Sequence, residues 1–281
     1  MTKLDFRPVE SAALSVTVVR VARLDSTLGA QFLHHHVYGE PDAPYDLAYY
    51  VWIIRGGERT VVVDTGMSAA AAERRGRELF ETFEQVLARH GITEADLVIT
   101  HAHYDHLGGI GVLPDGTVYA GRAELDFWAS ETAQHRIFEH LVEADEIETL
   151  LALRETDRLV EVTGTLDIAP GIRLIEAGGH TPGQLMVAVT TDAGLVLLTS
   201  DVVHFDQEYE LDRPFAHTAN VPALIETFAA IREGVADGTI AHVISGHDAR
   251  VLDTPGATTR SAEVGGSITI GSVADGAREH N

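Results

Sequence analysis

The stretch Leu97-Val98-Ile99-Thr100-His101-Ala102-His103-Tyr104-Asp105-His106-Leu107-Gly108-Gly109 decides the fold of this 281-residue chain. A short apolar run reads as a buried strand, and it leads into three histidines and an aspartate within six residues. Such a group makes a poor core and a good holder of two divalent cations. Side chains alternate with a period of two in extended backbone, so His101 and His103 point the same way and can reach one metal. Asp105 and His106 then face a second.

Three further segments put a potential ligand at the end of a predicted strand, where active-site groups gather. They are Gly178-Gly179-His180-Thr181-Pro182-Gly183, Thr199-Ser200-Asp201 and Ser245-Gly246-His247-Asp248. Glycines beside His180 and His247 allow the sharp turns and close approach that a ligand loop needs. One such histidine alone would more often be a satisfied or exposed residue. Beside the first cluster, the set points to metal. His34-His35-His36 lies apart from this pattern and reads first as a polar surface loop, with lining of a substrate cleft as the rarer alternative.

The formal charge is −23, from 43 Asp and Glu against 20 Lys and Arg, and Lys3 is the sole lysine. Polyanions are repelled by such a surface, so neither nucleic acid nor an acidic membrane is expected as a partner. The plainer consequence of the charge is solubility. With no cysteine, disulfides and thiolate ligands are both excluded. The ligands must then be His, Asp and Glu, which suit Zn²⁺, Mn²⁺, Fe²⁺ or Co²⁺. Residues 1–15 carry Asp5, Arg7 and Glu10 and lack the apolar stretch of a signal peptide. No run reaches membrane-spanning length, and a soluble, cytoplasmic protein is the expectation.

Apolar alternation and short apolar runs predict strands over 16–22, 48–54, 60–63, 97–99, 118–120, 172–176, 186–189, 196–198 and 240–244. Helical spacing predicts one helix over 69–89 ending at Gly91, two or more over 123–153, and one over 222–234 opening on Pro222. Strands outnumber helices and many connections are short, which predicts mixed sheets flanked by helices over a doubly wound parallel sheet. No internal repeat occurs. Residues 1–253 read as a single domain. Residues 254–281, rich in Gly, Ser, Ala and Thr, read as a peripheral or disordered tail.

The ordered set His-x-His-x-Asp-His followed by His, Asp and His resembles the metallo-β-lactamase superfamily, and Val61-Val62-Val63-Asp64-Thr65-Gly66 is similar to its early strand-to-turn motif. The resemblance runs from Tyr45 to Asp253. It implies an α/β fold of four layers, an αβ/βα sandwich with the metals at one edge of the paired sheets. It also implies that His101, His103 and His180 hold a first metal, that Asp105, His106 and His247 hold a second, and that Asp201 bridges them. Two divalent ions, zinc first and manganese, cobalt or iron as alternatives, would lower the pKa of a shared water and polarise the group it attacks. Asp105 is then also a candidate for general acid–base work. Asp64 has two even readings, orienting a ligand imidazole or capping its own turn; Asp248 reads as a surface residue.

Within the superfamily, β-lactamases either use a cysteine ligand or lack the bridging aspartate, flavodiiron proteins carry a flavodoxin domain, and nucleases bring an inserted domain or basic arm. What remains is the small hydrolases. Tyr49-Tyr50-Val51-Trp52-Ile53-Ile54, Gly179-His180-Thr181-Pro182-Gly183 and Ser200-Asp201 resemble the N-acyl homoserine lactone lactonase family, which implies opening of a lactone ring by a metal-bridging hydroxide. A thioesterase, a phosphotriester hydrolase or a hydrolase of another cyclic ester is the alternative on the same centre. A homodimer is an expectation from the resemblance alone. The chain departs from many of those lactonases three residues after Asp201, where His204 replaces a tyrosine that contacts substrate. His204 is accordingly either a catalytic substrate contact or a plain cleft wall. Tyr209 and Tyr104 are the other candidates for the missing hydroxyl. Phe32, Trp52, Trp128, Phe205 and Phe215 are candidates for an apolar acyl pocket or for the core.

Overall fold

The structure is a computed structural model that describes residues 4–9, 14–56, 59–112, 115–261 and 265–272. Its strands are β1 (Ser15–Leu24), β2 (Leu47–Gly56), β3 (Arg59–Val63), β4 (Glu78–Leu79), β5 (Asp96–Ile99), β6 (Val118–Gly121), β7 (Leu159–Val162), β8 (Thr165–Ala169), β9 (Ile172–Glu176), β10 (Leu185–Thr191), β11 (Gly194–Ser200), β12 (His242–Ser245), β13 (Thr258–Ser261) and β14 (Ser267–Ile270). The helices are α1 (Leu28–Gln31), α2 (Ala69–Arg75), α3 (Phe83–Arg89), α4 (Tyr104–Leu107), α5 (Arg122–Trp128), α6 (Arg136–Glu139), α7 (Ala144–Ala152), α8 (Asp206–Leu211) and α9 (Val221–Ala236).

Two mixed sheets form. The larger runs β13-β14-β1-β2-β3-β5-β6-β7, with β4 also paired to β1, and the smaller runs β12-β11-β10-β9-β8. The pairs β3/β5, β5/β6, β6/β7 and β11/β12 are parallel. One core lies between the sheets, where Val18, Trp52, Ile54, Val63 and Val98 of the larger meet Leu174, Val187, Val196 and Leu198 of the smaller. A second lies behind the larger sheet, where Val51, Ile53, Leu97 and Ile99 pack on Ala72 of α2, Val86 of α3, Leu107 of α4, Leu125 of α5 and Leu150 of α7. A third covers the smaller sheet with Leu224, Phe228 and Ile231 of α9. The layers are thus αβ/βα. Because both faces of β2 are covered, residues 47–54 are buried without alternation. No helix among the described residues is long and apolar enough to cross a membrane.

Two expectations are corrected. The single helix over 69–89 is two helices separated by β4: Gly76, at φ 65°, closes α2 in the left-handed region, and Thr82 with Gln85 opens α3 with a reciprocal capping box. The residues after 254 are not wholly peripheral. Strand β14 pairs antiparallel with β1 in the register Val16 to Ile270 and Val18 to Ile268, and β13 pairs with β14. The pattern Ser267-Ile268-Thr269-Ile270 alternates, and both isoleucines enter the core between the sheets. Four residues of alternation inside a small-residue stretch are too short to stand out from composition. The last residues of the expected tail, 273–281, lie outside the described residues. Ile270→Ala should therefore cost roughly 2–4 kcal/mol, read as a lowered urea midpoint, while Ile137→Ala, at a side chain 69% exposed, should leave the midpoint in place. An unmoved midpoint for Ile270→Ala would detach β14 from the core.

Candidate dinuclear metal centre

Strand β5 delivers the first cluster. Beyond Ile99 the strand ends and the chain runs to His103, which precedes α4 at φ −68° and ψ 154°, and the rings of His101 and His103 come together with centroids 4.6 Å apart. The single turn of α4 then swings Asp105 and His106 away to a second position. Gly108 follows against residues 67–68; a Cβ on it would stand 2.2 Å from the backbone nitrogen of Ser68, so only glycine lets that loop close. The smaller sheet supplies the rest. His180 sits in the turn before β10, and Asp201 and His247 follow the ends of the parallel neighbours β11 and β12. At Gly246 a Cβ would lie 2.6 Å from the Ser200 carbonyl oxygen, which explains the glycine beside His247.

All seven predicted ligands meet. His101, His103, His180 and Asp201 form one set and Asp105, His106, Asp201 and His247 another, each with its ligand atoms within 4.8 Å of one another. Asp201 belongs to both, and its two oxygens lie among the rings of both sets. Oδ2 lies 3.7 Å from His101 Nε2 and 3.5 Å from His180 Nε2. Oδ1 lies 3.1 Å from His106 Nε2 and 3.0 Å from His247 Nε2, and the His247 nitrogen is also 3.2 Å from Oδ2. Asp105 Oδ2 stands 3.7 Å from both of those nitrogens. His103 Nδ1 and His180 Nε2 approach to 2.9 Å; two nitrogens bound to one tetrahedral zinc would lie about 3.3 Å apart.

The donor set fits two divalent cations on a second ground. His101 Nε2, His106 Nε2 and Asp201 Oδ1 are buried and lack a hydrogen-bond partner. Buried polar atoms left unpaired are costly, and here they converge on two points. Burial, reinforced by neighbouring imidazoles, holds His101 and His180 well below the usual histidine range, and burial pushes His103 down to about 3. These rings are neutral, the form in which imidazole ligates.

Further contacts fix the candidate ligands in place. Asp64, buried at φ 60°, accepts from Thr100 N and Thr100 Oγ1 at 2.8 Å each. The same carboxylate meets His106 Nδ1 at 2.8 Å, so of its two readings the geometry is that of a group orienting a ligand imidazole. His247 Nδ1 donates to the Ala48 carbonyl at 2.8 Å, which aims its Nε2 at Asp201. Sequence reasoning missed Glu124. Its buried carboxylate accepts from Ala102 N at 3.1 Å, Gly183 N at 3.3 Å and Trp128 Nε1 at 2.7 Å, tying the His101–His103 loop to the His180 turn. The only signal was a charged residue amid the apolar positions of α5. Asp248 is also not a surface residue. It is buried and accepts from Asp206 N at 3.2 Å and Arg250 N at 3.0 Å, because β12 ends inside the molecule.

His204 is fully buried beside the centre, with Nε2 at 3.1 Å from Asp201 Oδ2. Burial opposes a charge on this ring, and the carboxylates of Asp201 and Glu208 outweigh it, pushing the pKa up to about 9. Phe215 stacks on His204 with ring centroids 3.6 Å apart, and Trp128 faces His103 at 6.2 Å. Phe32 and Phe205 pack one layer further out, 5.7 Å from each other, and Trp52 belongs to the core between the sheets. Neither alternative tyrosine is presented to the centre. The Tyr104 hydroxyl accepts from Arg77 Nε at 3.1 Å, and Tyr209 packs with the α9 core. His34 and His36 are exposed while His35 is buried against Tyr38, so the triplet is only partly the surface loop expected.

Fold and site together define a metal-dependent hydrolase with paired metal positions. The family model for the metallo-beta-lactamase superfamily matches residues 44–252, and the chain belongs to that superfamily. It is similar to the N-acyl homoserine lactonase of a Bacillus species, at 30% identity over 196 residues, covering 63% of this chain and 72% of that protein. A solved quorum-quenching N-acyl homoserine lactone lactonase shares the fold with a TM-score of 0.69 at 20% identity, covering 86% of this chain and 95% of that one. The dizinc quorum-quenching lactonase AidC, solved with the product N-hexanoyl-L-homoserine, does so with a TM-score of 0.68 at 18% identity, covering 97% and 99%.

Proposed function

We propose that this chain hydrolyses lactones, with an N-acyl homoserine lactone or a related lactone as substrate and zinc as the resident metal. The observation that carries the reading is the Asp201 carboxylate, which belongs to two buried ligand sets at once, with Nε2 of His204 at 3.1 Å from its Oδ2. The similarity to N-acyl homoserine lactonases supports the substrate class. Two divalent cations, when bound, supply Lewis acidity and lower the pKa of the attacking water. The chain's own residues do the remainder. Asp105 faces the second ligand set and is placed to hold the proton released on attack and return it to the departing alkoxide. His204 Nε2 is placed to hydrogen-bond an oxygen of the ester as charge develops on it. Phe215 and Trp128 wall the site and exclude water from its flanks.

Proton release measured on a panel of lactones, thioesters and phosphotriesters, with protein reconstituted separately with zinc, manganese and cobalt, tests the substrate class. Acylated lactones should be turned over fastest. Thioester or phosphotriester turnover with every lactone inert would overturn the proposal. For His204→Phe, which retains an aromatic ring against Phe215, turnover should fall on the order of 10²-fold, the scale of one lost oxyanion donor, with metal content still near two per chain. Unchanged turnover would remove His204 from the chemistry.

A further inference from the structure

We infer that Glu208 is a positioning residue of this site, acting through His204, an assignment that rests on the hydrolytic reading above. Glu208 is fully buried, four residues beyond His204 at the start of α8. Its Oε1 accepts from His204 N at 2.6 Å, Phe205 N at 3.0 Å and His204 Nδ1 at 3.1 Å, and its Oε2 accepts from Phe215 N at 2.9 Å. Capping of α8 needs only the Phe205 contact. The contacts to His204 Nδ1 and Phe215 N go beyond it.

Carboxylates only accept, so the contact to Glu208 keeps a hydrogen on His204 Nδ1, and Nε2, which faces the Asp201 carboxylate, keeps the hydrogen it presents to the site. The ring is then fixed in two ways. Stacking on Phe215, with planes 16° apart, sets its plane, and Glu208 sets its rotation within that plane. The Phe215 segment is in turn anchored to residues 31–33, through Leu33 N to Pro214 O at 2.8 Å and Ala216 N to Gln31 O at 2.7 Å. One buried carboxylate therefore ties the His204 ring, the start of α8 and the Phe215 wall together. In Glu208→Gln one oxygen becomes an NH₂ that must face a donor, either Phe215 N–H or the His204 group, so the clamp loosens while side-chain volume is kept.

The test uses the metal-loaded enzyme and whichever ester the panel shows to be turned over. Glu208→Gln should lower kcat about tenfold, leave KM within about threefold and keep two metals per chain. In a His204→Ala background the same substitution should change kcat less than twofold, because its route of action is gone. Equal losses in both backgrounds, or no loss in either, would overturn the assignment. A readout independent of turnover is the ¹⁵N-histidine spectrum of the zinc-loaded protein. The His204 resonances, identified by their loss in His204→Ala, should show a protonated Nδ1 with a strongly deshielded proton that moves upfield in Glu208→Gln. A ring protonated at Nε2 alone would refute the clamp even if lactones are hydrolysed, and the protonated Nδ1 would stand even if they are not.

Discussion

Asp201→Ala is expected to abolish the paired site, with metal content falling from two towards one or none per chain and turnover falling by about three powers of ten, some 4 kcal/mol of barrier. This carboxylate stands within both ligand sets, Oδ2 toward His101 and His180, Oδ1 toward His106, and both oxygens toward His247. Its removal takes from His101 with His180, and from His106 with His247, the shared anion that would offset the charge of two divalent cations held by these residues. Metal analysis after gel filtration and the ester panel measure both effects. Two retained metals with turnover within tenfold of the parent would show that Asp201 does not bridge.

The second large effect falls on a residue placed behind the ligands. Asp64→Asn should weaken metal binding by roughly 10–100-fold, as loss of a partner that orients a ligand imidazole does. Asparagine tolerates the φ of 60° at this position, so the backbone is spared. Its NH₂ cannot accept from His106 Nδ1, Thr100 N or Thr100 Oγ1, and at least one of these buried donors is left without an acceptor. The loss should be read as zinc affinity by competition with a chelator, accompanied by a lowered melting temperature. Parent-like affinity would return Asp64 to the role of a turn residue.

Much of this molecule is written locally. Buried strands such as β2 and β5 announce themselves as apolar runs, because helices cover the far face of the sheet and alternation is unnecessary. The ligand loops announce themselves because histidines and aspartates at strand ends, next to glycines, have few uses in a core. The misread elements are those whose identity depends on what they pack against. The pattern over 69–89 is helical throughout, yet Gly76 and Thr82 divide it, and the extended piece between them pairs with β1. Strand β14 carries only two isoleucines, and what makes it a strand is the edge of β1 beside it. Asp248 reads as a surface residue and Glu124 goes unmarked in the sequence, since burial of a carboxylate shows only when its donors are brought to it from elsewhere in the chain.

The sequence by itself picked out the candidate ligands, their types and their order, because the coordination preferences of imidazole and carboxylate are local properties, and the class of chemistry followed from the resemblance those motifs carry to the metallo-β-lactamase superfamily. Tertiary structure alone decided that Asp201 stands within both ligand sets, which nitrogen of His204 faces the centre, and that Glu208, Glu124 and Asp64 hold the loops in place. Those facts depend on contacts between residues from 3 to 100 positions apart in the chain, as for Asp201 with His204 and with His101, set largely by the packing of two sheets against each other, and no local pattern encodes them.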